Sequence, residues 1–92
     1  MYRIVVDESV KLFIEENKIS ASRYFKSMFE VLKTFPRSGM PYEGSPAYRT
    51  YELVKCKLSV LYKVDEIDST IYIVDIRSTA SSIDFKVNKP PR

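Results

Sequence analysis

A chain of 92 residues, 45% hydrophobic and 13% aromatic, can bury one modest core, so a single domain over residues 1–87 is expected. The lone cysteine, Cys56, excludes an internal disulfide framework. With no histidine present, the ordinary zinc and iron ligand sets and histidine acid–base chemistry are excluded too, and no metal or cofactor is expected.

Fifteen Lys and Arg against twelve Asp and Glu leave a net charge of +3, which permits an anionic partner without requiring one. No apolar run approaches the roughly 20 residues that span a bilayer. The N-terminus enters a strand with no signal-peptide pattern. Together these features imply a soluble, cytoplasmic protein without a membrane partner.

The first strand is expected over residues 2–6, where alternation ends at Asp7, a residue suited to accept the orphan amides of a helix start. In the helix that follows, Val10, Phe13 and Ile14 form one narrow apolar stripe, and Glu15, Glu16, Asn17 and Lys18 run out into solvent. Ser20 is expected to cap a second helix over residues 20–35. There Tyr24, Phe25, Met28, Leu32 and Phe35 recur every three to four residues, with Arg23, Lys26, Glu30 and Lys33 opposite. Pro36 stops that helix.

Residues 36–47 hold three of the five prolines and both glycines. That composition suits a loop, and one so long in a small domain is either functional or mobile. A strand over residues 48–56 then places Arg49, Tyr51 and Leu53 on one side, with Lys55 and Lys57 two apart and so on a common face. Two β-rich runs, residues 58–64 and 70–77, flank a polar turn over residues 65–69 and read as antiparallel neighbours. The tail ends in Lys-Pro-Pro-Arg, and residues 88–92 read as disordered.

Regular alternation puts Leu58, Val60, Tyr62 and Val64 on one face of their strand and Tyr72, Val74 and Ile76 on one face of the next, as core. The opposite faces carry Ser59, Leu61 and Lys63, then Ile71, Ile73, Asp75 and Arg77. That mixed surface is either a place where a partner segment lies or a set of scattered exposed apolar residues of the usual kind. Leu61, Lys63, Ile71, Ile73 and Arg77 are the expected partner-contacting residues. Asp75 and Arg77 share a face and are expected to form a weak ion pair. Cys56 reads as a small buried hydrophobe, since no histidine exists to activate it.

The order strand, two helices, loop and three strands resembles the RelE/ParE superfamily, the toxins of type II toxin–antitoxin pairs, also described as plasmid stabilization proteins. The resemblance rests on Val31-Leu-Lys-Thr-Phe-Pro36 with Gly39 three residues on, Arg49-Thr-Tyr-Glu-Leu53, Val60-Leu-Tyr-Lys-Val64 and Ile71-Tyr-Ile-Val-Asp-Ile-Arg77. It covers residues 2–80 and implies an α+β fold. The implied order is β-α-α-β-β-β, an N-terminal strand, a helical hairpin and a three-stranded antiparallel meander. It also implies a cognate antitoxin as partner.

Two biochemistries occur in that superfamily. RelE-like members cut mRNA on the ribosome without a metal. Such cleavage needs cations for the charge that develops on the phosphate and an acceptor for the 2′-hydroxyl proton. Aligned with that branch, Ser59 stands where an arginine is usual, Thr79 near a second arginine and Phe85 near a tyrosine. Arg49 alone roughly matches a basic position. If the chain is nonetheless a nuclease, Arg49, Lys55, Lys57 and Arg77 are its candidate catalytic residues; Lys55 and Lys57 read equally as solvated edge charges. ParE-like members inhibit DNA gyrase and lack the basic set, and this chain looks closer to them. A degenerate member that only binds its antitoxin is the third reading.

Overall fold

The computed structural model describes residues 1–17, 19–45 and 47–79. In chain order the elements are β1 (Arg3–Val6), α1 (Glu8–Glu16), α2 (Ile19–Thr34), β2 (Met40–Pro41), β3 (Tyr48–Leu53), a 3-10 turn (Val54–Cys56), β4 (Leu58–Asp65) and β5 (Thr70–Ser78). One five-stranded sheet runs in the order β1-β5-β4-β3-β2. β1 lies parallel to β5 and the remaining pairs are antiparallel. The fold is α+β as expected, with one short strand more, because Met40 and Pro41 pair with Thr50 and Arg49. Residues 80–92, including the expected disordered tail, lie outside the described residues, as does Phe85.

The Asp7 carboxylate accepts the Ser9 amide at 3.0 Å and the Ser9 hydroxyl at 2.6 Å, fixing the start of α1 as its sequence anticipates. The second helix differs at both ends. It begins at Ile19, so Ser20 lies inside it and is not its cap, and it stops at Thr34, leaving Phe35 65% exposed. Its remaining stripe performs as expected. Phe25, Met28 and Leu32 are buried and pack, together with Val10 of α1, on Leu53, Leu58, Val60, Tyr62, Ile71, Ile73 and Ile76 of the sheet. Burial of each such side chain contributes about 1.5–3 kcal/mol.

Two expectations about the strands are corrected. The β4–β5 register shifts between Leu61 and Tyr62: Leu61 faces Asp75, but Tyr62 faces Ile73. Val74 is thus an extra residue, a bulge, and it reverses the alternation of the first half of β5. Ile71 and Ile73, expected on the far face, are therefore fully buried in the helix-covered core, while Tyr72 and Val74, expected in the core, are only partly buried.

β3 also ends sooner than expected. Its last residues wind into the 3-10 turn, and Lys57 takes a left-handed conformation with φ 56° and ψ 48°. Lys55 and Lys57 therefore share no strand face.

Candidate functional site

Pairing across the sheet decides which side chains meet. In the β3–β4 hairpin Arg49 stands opposite Tyr62, and Glu52 opposite Ser59. Across β4 and β5, Ser59 stands opposite Arg77. Since strand residues alternate between faces, Arg49 and Tyr62 belong to the helix side, whereas Glu52, Ser59, Leu61, Asp75 and Arg77 belong to the face turned away from the helices.

On the helix side the long loop is fastened to the sheet. The Tyr62 hydroxyl donates to the Pro36 carbonyl at 2.8 Å and accepts the Gly39 amide at 2.9 Å. Arg49 Nη1 donates to the Gly39 carbonyl at 2.6 Å and to the Arg37 carbonyl at 3.3 Å. Burial pushes the Tyr62 phenol above its ordinary value of 10.0, although the Gly39 amide and the Arg49 charge pull it down in part. Arg49 is thus engaged in holding the loop.

Below this lock, Arg37, Arg49 and Lys63 border a cleft of about 570 Å³ that Asp65 and Glu66 also line. Glu66 pairs with Arg37 and holds its guanidinium charge more firmly. Asp65 accepts the Ile67 and Asp68 amides, each at 3.1 Å, and so shapes the β4–β5 turn. Lys63 is exposed and adds the one further cation there.

The opposite face has another character. The Ser59 hydroxyl donates to Glu52 Oε2 at 2.5 Å, and Ser59 is nearly fully buried. Arg77 Nη2 lies 3.4 Å from Asp75 Oδ2, the expected same-face pair, while its Nε is buried and has no hydrogen-bond partner among the described residues. Asp75 Oδ1 also accepts the Ile76 amide at 2.8 Å. Toward the β3–β4 hairpin end of this face, then, two carboxylates accompany one guanidinium.

The four candidate nuclease residues are not brought together. Arg49 faces the loop, Lys55 and Lys57 sit in and beyond the 3-10 turn, and Arg77 lies on the far face. Arg49 and the hairpin end at Leu53 are four residues apart, about 13 Å along a strand. Thr79 lies just past β5, its amide donating to the Lys57 carbonyl at 2.8 Å.

Of the expected partner-contacting residues, Leu61, Ile71 and Ile73 have no exposed surface, Leu61 on the far face and the other two in the core. Lys63 and Arg77 retain exposed surface. Cys56 is partly buried, which raises its thiol and suits the hydrophobe expected. Among the described residues no group of histidine, cysteine and carboxylate side chains could hold a metal ion, and no helix is long and apolar enough to cross a membrane.

Sequence reasoning missed Glu52 altogether. The signal was available, because once the hairpin register is drawn from Leu53 opposite Leu58, Glu52 must face Ser59.

No protein-family model matches the chain, and no curated protein sequence matches it. Among solved structures it is similar to the isolated RelE toxin of E. coli in its P21 crystal form. The TM-score is 0.70 at 17% identity, covering 89% of this chain and 88% of that one. The two share a fold.

Proposed function

We propose that this chain is the toxin of a type II toxin–antitoxin pair, that it acts by binding a protein target, DNA gyrase in the ParE manner, and that a small cognate antitoxin holds it inactive. The fold it has in common with the E. coli RelE toxin supports the toxin reading. The observation that carries the choice of mechanism is the Ser59–Glu52 hydrogen bond on the far face at the β3–β4 hairpin end, with Asp75 beside Arg77. Phosphodiester cleavage concentrates negative charge on the phosphate, and donors and cations must already be in place to receive it. Two carboxylates at that position repel the phosphate and the charge that develops on it. A protein partner meets no such barrier, and exposed Lys63 and half-buried Arg77 are then contact residues.

The alternative is a RelE-like, ribosome-dependent mRNA endoribonuclease working through Arg49, Lys55, Lys57 and Arg77. The buried Nε of Arg77, which has no partner among the described residues, favours it, since a phosphate oxygen would satisfy that donor. A non-toxic member that only binds its antitoxin is the third reading.

Inducing the chain with and without the small protein encoded beside it tests the paired-toxin reading. Growth should stop when the chain is induced alone and continue when its neighbour is induced with it, and the two proteins should copurify. Growth unaffected by the chain alone would leave only the non-toxic reading, and failure to copurify would remove the paired one.

A further inference from the structure

β1 is an edge strand whose inner side is taken up by β5. Arg3 N–H donates to Ser69 O and Asp7 N–H to Ile73 O, each at 2.9 Å, along a parallel register from Arg3 beside Thr70 to Val6 beside Ile73. In a parallel ladder alternate residues direct both backbone groups to the same neighbour. Arg3, Val5 and Asp7 therefore serve β5, and the N–H and C=O groups of Ile4 and Val6 point outward. Among the described residues the outer side is engaged at its start alone, where Tyr2 N–H donates to Lys33 O at 3.3 Å.

Beside this edge lies a cleft of about 460 Å³ lined by Tyr2, Ile4, Val6 and Phe29. Val5 points to the other face and is 45% exposed. The backbone stays extended through Asp7, with φ −62° and ψ 149°.

A strand edge with outward-directed groups is a template for another strand, and the sequence Arg3-Ile-Val-Val-Asp7 selects the one that fits. Laid antiparallel on itself with Val5 at a two-fold axis, it sets Ile4 opposite Val6 of the second copy, twice, so that all four outward groups of each copy find partners. In the same register Val5 meets Val5, and Arg3 meets Asp7 of the second copy on both sides of the axis. These are positions of the non-hydrogen-bonded kind, with Cα atoms about 4.5 Å apart and side chains closest. Opposite charges and β-branched residues stabilise such pairs. Moving the axis by one residue would set Arg3 or Asp7 against Val5 and lose both ion pairs.

We propose that two copies of this chain associate through β1 in this register, joining their sheets into one and closing the Ile4, Val6 and Phe29 cleft from both sides. The inference rests on the strand edge and is independent of the toxin reading.

The test is sedimentation equilibrium of the whole chain up to about 100 μM, enough to populate a contact of micromolar Kd. The wild-type mass should rise from 10.7 kDa toward that of a dimer. Val5→Lys and Val5→Glu, both at an exposed position, should each weaken self-association by about tenfold or more, because like charges then meet on the axis. Mixed in equal amounts, the two variants should associate again as a heterodimer, with circular dichroism showing both folded. A wild-type chain that stays monomeric, even one that gains a strand from another protein, overturns the proposal. So does a dimer that survives in each single variant.

Discussion

The Gly39 amide donates to the Tyr62 hydroxyl at 2.9 Å, and that hydroxyl donates in turn to the Pro36 carbonyl at 2.8 Å. One phenol from the sheet centre therefore fastens both ends of a short stretch of loop. The approach is close enough that a Cβ on residue 39 would meet the Tyr62 oxygen at 2.6 Å and also press on the Thr50 carbonyl. Gly39→Ala should thus destabilise by about 3 kcal/mol or more through overpacking. Tyr62→Phe keeps the ring and leaves the amide and carbonyl unpaired, at a cost of about 1–3 kcal/mol. Urea denaturation of both variants checks the order, which a loop resting loosely on the sheet would not give.

Arg49 belongs to the same lock. Arg49→Ala should lower stability by about 1–3 kcal/mol, since it strips donors from the Gly39 and Arg37 carbonyls, and the folded protein should still arrest growth. A variant as stable as wild type but inert on induction would instead assign Arg49 to the chemistry.

Tyr62 gives the alkaline limb of stability its shape. The unfolded chain ionises this phenol near 10.0, and burial raises the value in the folded state. The corresponding stability is complete below the unfolded value and is lost as pH rises through the folded one. Melting temperature should therefore fall above pH 10, and fall less steeply in Tyr62→Phe. Parallel curves for the two proteins would contradict this account.

At the acid end the Ser9 hydroxyl, and then its amide, hold the Asp7 carboxyl below its ordinary 3.8. The sign is the reverse. Stability from this cap is present above 3.8 and is lost as pH falls through the lowered folded value. Asp7→Ala should melt lower than wild type at neutral pH and converge with it in acid. A constant gap down to low pH would show that the carboxylate charge plays no part.

Removing Lys57 and Arg77 together separates the two biochemistries. If a protein target is held through many contacts, of which Arg77 is one, Lys57→Ala with Arg77→Ala should leave growth inhibition largely intact. If the pair touches RNA, inhibition should disappear, as charge-stabilising donors of this kind are each worth about 2.7–4 kcal/mol of activation energy.

Much of this arrangement is legible in the sequence, and the parts that are not share a physical cause. Val10, Phe25, Met28 and Leu32 announce their buried faces by helical spacing, and Asp7 announces the cap. Pro36, Gly39, Arg49 and Tyr62 are visible as members of a family-like pattern, but their meeting is a tertiary event that spacing does not encode. The placement of Ile71 and Ile73 fails for a sharper reason. A bulge at Val74 moves every residue before it to the other face, and nothing in the run Thr70-Ile-Tyr-Ile-Val-Asp-Ile-Arg77 marks which residue is the extra one. Lys55 and Lys57 fail similarly, since the strand is broken by a turn that carries no glycine or proline.

The measurement that bears most directly on the proposed mechanism is pulse incorporation of thymidine and of amino acids in the first minutes after the chain is induced alone in bacterial cells. A protein that acts on gyrase should depress thymidine incorporation first and spare translation. An early fall in amino-acid incorporation, with DNA synthesis continuing, would contradict it and make RNA cleavage the activity to explain.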